Sequence, residues 1–412
     1  MFEVKSARSK VKINTSQQYT KQKNTMLLLN MIRKYKQISR IMLSELTGLS
    51  ATTVSILMDD LIANGLVTEI GTTDSISRGR RPIMLEINPK GGYFVLVEII
   101  NTGIISSLYD LCSEIVDRNK YRLEEGMKKD TAIDYIRQLL VKNNIPADSL
   151  LGINVIYPGL VDRAAKKMIY SAVVPTKALF EETEIENLHV AFPNAVFMLN
   201  NYASISVYAE YALQDYKFVR SIVSVDIFER VGAGVIFVND KSEKIYDMPI
   251  ELGHVMVDKN GPLCRCGNRG CLEMLVGICS IFERIEQETG IILDYVDEIN
   301  HKQNIEAMKR VRREAKNGNP NIIKILDECA EWIALALTNM NNIIDPGYIF
   351  ICGPIKYLGE EFIKIMNEKM VRMNLKHTDF PEIIKLSSLD EEDRLKGGIA
   401  MLIDEVFALN IE

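Results

Sequence analysis

The most specific motif of the chain reads ELGH at residues 251–254 and CRCGNRGCLE at residues 264–273. Thiolates and imidazole are the ligands that zinc prefers, and glycines allow a short loop to wrap around the ion. A complete set of protein ligands leaves no coordination position for a substrate, so the motif predicts one structural zinc ion per chain. The alternative is a group of buried cysteines without a metal. The predicted ligands are His254, Cys264, Cys266 and Cys271.

The composition is that of a globular protein. The chain has 412 residues, 47% hydrophobic and 25% charged, and its length exceeds the roughly 100–200 residues of one domain, so we expect two or three folded units. The N-terminus lacks a signal-peptide core and no apolar run reaches the roughly 18 residues that span a bilayer, so we expect no membrane contact and a cytoplasmic location. The seven cysteines are an odd number with three in one loop, which favours metal binding over disulfides.

Charge is distributed unevenly along the chain. Residues 1–90 hold 14 Lys and Arg against 7 Asp and Glu, whereas the remainder holds 35 against 48, within a net charge of −6. A basic head on an acidic body suggests a module that binds a polyanion, although an unevenly charged solvated surface would give the same count.

The pattern of the head predicts a winged helix-turn-helix that ends near residue 87. Ser39 and Ser50 are each placed to cap a helix, and we expect Leu43 and Leu46 to point inward from the first of these helices. Two short apolar strands around a polar tip follow the second helix and form the wing. The apolar face of the second helix consists of Val54, Leu57, Met58, Leu61 and Ile62.

The sequence pattern of the head predicts that the protein binds double-stranded operator DNA. The second helix of a helix-turn-helix enters the major groove with its N-terminus first, so hydroxyl side chains at its start should reach bases or phosphates. Arginines at the wing tip are suited to neutralise phosphates or to enter the minor groove. Two alternatives are helices that only mediate dimerisation and hydroxyls that only cap or cover the helix. The predicted DNA-contacting residues are Ser50, Thr52, Thr53, Ser55, Arg78, Arg80 and Arg81.

From Gly92 onward, apolar strands alternate with helices, which indicates an α/β body. The longest apolar helical pattern runs through residues 322–344, between an Asn-Gly-Asn-Pro turn and an Asp-Pro-Gly break. Buried strands are expected at residues 93–100, 152–157, 195–199, 221–227, 234–238 and 348–352.

Residues from about 24 to 409 resemble the ROK family of bacterial sugar kinases and sugar-responsive repressors. The resemblance rests on the motif at 251–273 and on head segments similar to the branch with the xylose and N-acetylglucosamine repressors, such as the Gly-Arg-Arg-Pro at 79–82. It implies an α/β protein with an N-terminal winged helix-turn-helix followed by a two-lobed, actin-like sugar-kinase fold. The implied parts are a flexible leader (1–24), the DNA-binding domain (25–87), the first lobe (88–200), the second lobe with the zinc loop (201–390) and a C-terminal helix that returns to the first lobe (391–412).

The resemblance also implies a small sugar-like effector. Carboxylates and amides satisfy several sugar hydroxyls at once, and relatives carry such groups around their sugar pocket. For Glu251 and Glu273, a role in orienting the zinc loop is the alternative. The residues that match positions lining or supporting that pocket are Pro158, Gly159, Asn201, Tyr202, Glu251, His254 and Glu273.

Departures from the kinase motifs predict that the body is not an enzyme. Tyr202 stands where the kinases of the family have their catalytic aspartate, and a phenol with a pKa near 10 is a poor general base. The first phosphate loop reads EIINT at residues 98–102 without glycine, and Glu229-Arg230 replace the usual Thr-Gly of the second. A kinase fold that serves only as a sensor needs neither a base nor ATP.

These features together predict a homodimeric or homotetrameric transcriptional regulator. We expect a repressor of sugar-utilisation genes that a sugar-like effector releases from its operator, because a ligand that favours one arrangement of the body changes the spacing of paired recognition helices. Two other interpretations remain at this point, namely a sugar kinase with an attached DNA-binding module and a regulator controlled by a protein partner.

Overall fold

The computed structural model describes residues 16–72, 82–100, 103–122, 132–171, 182–214, 219–238, 245–293, 301–374 and 382–407. The chain divides into two compact units, one made of residues 1–200 and 399–412 and the other of residues 201–398. Within the described ranges, every helix is too short or too polar to cross a bilayer.

The described residues of the head form three helices and three strands. The helices are α1 (Ser16–Tyr35), α2 (Arg40–Thr47) and α3 (Ala51–Ala63), and the strands are β1 (Ile38–Ser39), β2 (Val67–Thr72) and β3 (Ile83–Ile87). The strands form a sheet in the order β1-β3-β2, in which β2 and β3 pair antiparallel. Helices α2 and α3 and strands β2 and β3 follow one another in the order that the sequence pattern predicts, whereas strand β1 was not predicted.

The two predicted caps of the head are present. The side chain of Ser39 accepts a backbone N–H of α2 at 3.2 Å, and Ser50 accepts the backbone N–H of Thr53 at 3.1 Å. Leu43 is fully buried as predicted, but the prediction for Leu46 is wrong, since this side chain is 46% exposed. The eight-residue helix α2 buries only one residue, so its apolar face is narrower than the periodicity implies.

The first unit also contains the first body sheet, against which the head packs. Its five-stranded sheet has the order β10-β7-β4-β5-β6, with β10, β7 and β4 parallel and the rest antiparallel. Backbone hydrogen bonds at 2.9 Å from Asn88 to Leu66 and at 3.3 Å from Leu111 to Pro89 join the head to this sheet. The elements are β4 (Tyr93–Ile100), β5 (Gly103–Asp110), β6 (Ile115–Arg122), α4 (Ala132–Lys142), β7 (Leu150–Ile156), β8 (Leu160–Asp162), β9 (Lys167–Tyr170), α5 (Glu182–Ala191) and β10 (Val196–Asn200).

The second unit repeats this sheet arrangement. Its five-stranded sheet has the order β13-β12-β11-β14-β15, with β11, β14 and β15 parallel and β12 and β13 antiparallel. Helix α12 (Glu391–Phe407) contributes to both units. The other elements are α6 (Tyr202–Leu213), β11 (Ser221–Ile227), β12 (Val231–Val238), β13 (Ile245–Ile250), α7 (Glu273–Val276), α8 (Ile278–Thr289), α9 (His301–Lys316), α10 (Pro320–Ile344), β14 (Tyr348–Cys352), α11 (Glu360–Met373) and β15 (Ile384–Leu386).

Helix α6 lies very close to strand β12, which holds the start of this helix against the second sheet. A β carbon at Gly234 would lie 2.3 Å from the carbonyl oxygen of Ala203, so no larger residue fits at this position. The strand and the first turn of α6 are therefore held in fixed register.

Candidate metal centre, effector residues and nucleic-acid interface

The predicted metal ligands form one cluster. The ligand atoms of His254, Cys264, Cys266 and Cys271 all lie within 4.8 Å of one another. The Sγ of Cys264 lies 3.6 Å from Nδ1 of His254, and the Sγ atoms of Cys266 and Cys271 are 3.7 Å apart. The group could hold a metal ion, and three sulfurs with one imidazole nitrogen are a donor set typical of structural zinc sites.

The loop that carries the cysteines owes its shape to glycine. The backbone N–H of Cys264 donates to the carbonyl of Asn268 at 2.7 Å, which closes a tight turn around Cys266. Gly270 has a φ of +63°, and a β carbon there would lie 1.5 Å from the carbonyl oxygen of Asp258. Only glycine is compatible with this conformation and this close approach.

The loop also places its thiols in different environments. Cys271 is buried and Cys266 is exposed. Burial raises the pKa of the Cys271 thiol to about 12, and the neighbouring Cys266 and Cys264 raise it as well. A bound cation would compensate the negative charge of the thiolate form at such a position.

Two predicted effector residues, Asn201 and Tyr202, lie at the start of α6. The side chain of Asn201 accepts the backbone N–H of Ser204 at 2.9 Å and so caps the helix. Tyr202 is the first helical residue and is half-buried. Its ring centre lies 5.3 Å from the guanidinium of Arg394, which belongs to α12.

Three further predicted effector residues, Glu251, His254 and Glu273, lie in or next to the metal cluster. Glu251 is exposed and directly precedes the turn that carries His254. The backbone N–H of His254 donates to the carbonyl of Glu251 at 3.0 Å. Glu273 is buried, and its carboxylate accepts the backbone N–H of Val231 at 3.3 Å and lies 3.8 Å from Arg265. Glu273 thus contacts both the cysteine loop and the β11–β12 hairpin, as expected for a residue that supports the loop.

The remaining two predicted effector residues belong to the first unit. Pro158 and Gly159 follow strand β7, and Ser171 donates a hydrogen bond to the carbonyl of Pro158 at 2.7 Å. The predicted effector residues therefore divide between the two units, and five of them, Asn201, Tyr202, Glu251, His254 and Glu273, belong to the second.

A buried charged cluster beside Tyr202 was missed in the sequence analysis. The guanidinium of Arg394 lies 4.6 Å from the ring centre of Phe228 and 3.7 Å from the carboxylate of Asp226. Asp226 also accepts a hydrogen bond from Ser206 of α6 at 3.0 Å. No local pattern signals this cluster, because only the fold brings α12 to the end of β11.

The two segments that correspond to kinase phosphate loops have different backbone structures, a strand in the first and a hairpin turn in the second. In the first, Glu98 to Ile100 continue strand β4 and Ile100 pairs with Gly103 of β5, while Asn101 and Thr102 lie outside the described residues. In the second, Phe228 donates a backbone hydrogen bond to Arg230 at 2.9 Å across the β11–β12 turn.

The start of α3 carries the predicted hydroxyl residues of the DNA interface. The hydroxyls of Ser50 and Thr53 lie 2.8 Å apart, so both take part in the helix cap. Thr52 is exposed and Ser55 is half-buried. The three predicted arginines, Arg78, Arg80 and Arg81, lie outside the described residues.

A second feature of the head was not foreseen. Arg40 of α2 donates at 2.8 Å to Asp59 of α3 and at 3.1 Å to Glu69 of β2. It therefore links helix α3 to strand β2. The large apolar residues Ile41, Met42 and Ile56 of α2 and α3 are exposed, so the surface of these two helices is apolar as well as polar.

Comparison with known proteins identifies relatives over most of the chain. The model of the ROK family matches residues 95–405. The xylose repressor of Bacillus subtilis (strain 168) is 30% identical over 344 residues, which cover 82% of this chain and 84% of the repressor.

Solved structures extend this likeness to the fold. A ROK family transcriptional regulator, a homologue of the Escherichia coli Mlc protein, has a TM-score of 0.70 at 20% identity and covers 94% of this chain and 97% of its own. A ROK family glucokinase from Streptomyces griseus, in complex with glucose and AMPPNP, has a TM-score of 0.56 at 17% identity and covers 75% of this chain and 99% of the kinase. These likenesses confirm the two-lobed α/β fold implied by the sequence.

Proposed function

Because the chain belongs to the ROK family, we propose that it is a DNA-binding transcriptional repressor whose body senses a small sugar-like effector. The ROK family transcriptional regulator of known structure covers 94% of this chain, so the likeness in fold extends into the head. The genes that this repressor is proposed to regulate are genes of sugar utilisation.

The observation that carries the proposal is the way α3 is held in the head. Its inner face is buried through Val54, Leu57, Met58 and Leu61, and Arg40 ties its outer edge to the wing. Its N-terminal turn, with Thr52, remains exposed. A rigid helix with an exposed N-terminal turn is the geometry with which a helix-turn-helix reads the major groove.

The geometry of α3 suggests distinct roles for the predicted DNA contacts. Thr52 and Ser55 are the hydroxyls available for bases or phosphates, whereas Ser50 and Thr53 order the cap and offer the backbone N–H groups of the first turn. Arg78, Arg80 and Arg81 are proposed to bind phosphates or the minor groove from the wing, in keeping with the basic balance of residues 1–90.

We propose that the effector is a sugar and that the residues which recognise it are Pro158, Gly159, Asn201, Tyr202, Glu251, His254 and Glu273. The name of the Bacillus subtilis relative makes d-xylose the first compound to examine. The start of α6 supports this proposal, because it places the amide of Asn201 and the phenol of Tyr202 next to each other in the chain.

The cluster of His254 with three cysteines is proposed to hold one structural zinc ion per chain. With all coordination positions taken by the protein, the ion would stabilise the loop and leave no position for a substrate. The contacts of Glu273 with Arg265 and Val231 would then connect a rigid loop to the effector residues.

The body is proposed to lack kinase activity. Tyr202 offers a phenol where a general base is required, and its ring faces the permanently charged Arg394. Phe228 and Glu229 place side chains in the turn where a phosphate loop needs close backbone approach.

The protein is proposed to be a homodimer or a homotetramer. Two heads of such an assembly would bind the two half-sites of a symmetric operator.

In vitro selection of random-sequence DNA duplexes tests the proposed function. The wild type should enrich a two-fold symmetric site, and Thr52→Ala should bind that site about tenfold more weakly through the loss of a base contact. Ser280→Ala removes a hydroxyl from α8 of the body and should leave the affinity unchanged. Failure of the wild type to enrich any sequence would contradict the proposal.

The wing has its own test, in the salt dependence of binding. Replacing Arg80 and Arg81 by alanine should weaken binding to all duplexes alike and flatten the dependence of affinity on salt, because fewer counterions are released. An unchanged salt dependence would argue against phosphate contacts from these arginines.

A further inference from the structure

Arg394 is a buried cation that lies over two aromatic rings. It is 8% exposed, and its guanidinium lies 5.3 Å from the ring centre of Tyr202 and 4.6 Å from that of Phe228. Cation–π contacts gain strength where the cation is desolvated. The side chain therefore joins α12 to the start of α6 and to the end of β11.

Carboxylates neutralise the buried guanidinium. Asp226 lies 3.7 Å from Arg394, and Glu391 of the same helix also pairs with it. Burial opposes the charge on Arg394, but these carboxylates outweigh this effect and raise its pKa above the usual range. Removal of the guanidinium would leave the carboxylate of Asp226, which is 5% exposed, without its cation.

A second contact fixes α12 to α6. Gly397 follows Arg394 by one turn, and a β carbon at Gly397 would lie 2.1 Å from the carbonyl oxygen of Ile205 and 2.7 Å from the backbone nitrogen of Ala209. The two helices thus approach each other at backbone distance. The first half of α12 and the helix that begins with Tyr202 form one packed element.

The other half of α12 belongs to the unit that contains the head. Leu402 lies against Gly152 of β7, where a β carbon would come within 2.9 Å of its side chain. Asp404 lies 3.8 Å from Arg33 of α1, the first helix of the head. Helix α12 runs without interruption from Glu391 to Phe407, so one helix carries both sets of contacts.

We propose that α12 couples the effector residues to the DNA-binding head, with Arg394 and Gly397 holding it to α6 and Asp404 holding it to α1. The proposal rests on the proposed function in that Tyr202 belongs to the effector site. Displacement of Tyr202 by a ligand would shift the stacked guanidinium, and the helix would transmit this shift to its contact with Arg33. Coupling of this kind needs contacts that differ between two states.

Hydrogen–deuterium exchange of the full chain, without ligand or DNA, tests the coupling by itself. Arg394→Met keeps the length of the side chain and removes its charge and planar group. Exchange should rise by about threefold or more in residues 391–407 and also in peptides of α1 around Arg33. Arg372→Met, which removes an exposed charge from α11, should change neither segment.

A rise confined to residues 391–398 would overturn the proposal, because the perturbation would stop before it reached α1. If Arg394→Met fails to fold, Arg394→Lys provides the same comparison, since it keeps the charge beside Asp226 and loses the planar group that lies over both rings. The same pattern of exchange is expected from it, with a smaller amplitude.

Asp404→Asn provides a second measurement, with d-xylose as the probe. Calorimetric binding of the sugar should be unchanged, whereas the effect of the sugar on DNA affinity should fall by about tenfold. An unchanged effect on DNA affinity would contradict the coupling through Asp404. Failure of the wild type to bind d-xylose would contradict the effector proposed above and not the coupling, which the exchange experiment decides on its own.

Discussion

Gly397 of α12 packs against the backbone of Ile205 in α6 so closely that a β carbon would lie 2.1 Å from the Ile205 carbonyl oxygen. Glycine in the middle of a helix costs stability, roughly 1 kcal/mol relative to alanine. Its presence here is explained by the packing of the two helices.

Gly397→Ala should therefore destabilise the protein although alanine is the better helix former. We expect a loss of about 1–3 kcal/mol in the free energy of unfolding, because the added methyl group forces the helices apart. Urea denaturation measures this change. Gln287→Ala, at an exposed position of helix α8, serves as the control and is expected to have little effect. A gain in stability for Gly397→Ala would contradict the packing.

The buried Glu210 of α6 should make stability depend on pH. Burial raises its pKa to about 7, although Ser387 donates a hydrogen bond to its carboxylate. Its folded-state pKa thus exceeds the ordinary value of 4.5, so the folded state binds more protons between these two values. The resulting stability is present below pH 4.5 and is lost as the pH rises through about 7.

Glu210→Gln should abolish this contribution. Between about pH 4.5 and pH 7 the wild type should lose about 3 kcal/mol relative to the variant. Denaturant unfolding at pH 5 and pH 8 measures the difference. The exposed Glu382→Gln provides the matched control, and an equal pH dependence in the wild type and in Glu210→Gln would refute the prediction.

The metal centre predicts that removal of one thiol releases the ion. Purified protein should contain about one zinc per chain, and Cys266→Ser should lose most of it and lower the melting temperature, since binding of the ion favours the folded loop. Elemental analysis and calorimetry measure the two effects. Cys112→Ser removes an exposed cysteine outside the cluster and should keep the metal. A wild type without metal and with full stability would rule out the zinc site.

Local sequence patterns were sufficient for the metal cluster and for many strands. His254 and the three cysteines lie within one short segment, so spacing and ligand chemistry alone predicted a cluster that the structure brings together. Strands β4, β11 and β14 have the predicted limits because each is a short, mostly apolar segment that is buried along nearly its whole length.

The remaining features depend on contacts distant in sequence. Strand β6 was not predicted because its exposed, charged residues give no apolar run. The contact of Arg394 with Tyr202 could not be predicted, because the sequence around Arg394 indicates only an acidic helix start. Leu46 was misplaced because periodicity does not reveal how narrow the buried face of a short helix is.

Restoring the catalytic carboxylate alone should not produce a kinase. Tyr202→Asp should show no sugar-dependent ADP release above background. A base activates the sugar hydroxyl, but the hydroxyl cannot react unless a phosphoryl group is positioned for its attack. The same variant loses the aromatic ring beside Arg394. A coupled ADP assay with hexoses, pentoses and amino sugars measures this. Turnover by the wild type would contradict the assignment as a non-enzymatic sensor.

The most direct test of the central claim is a fluorescence anisotropy titration of the selected duplex with the purified chain, with and without d-xylose, against a scrambled duplex of equal length. A sequence-specific repressor should bind the selected duplex at least about a thousandfold more tightly than the scrambled one at physiological salt. The sugar should weaken this specific binding by about tenfold or more. Equal affinity for both duplexes would contradict the claim that this protein is a sequence-specific DNA-binding repressor.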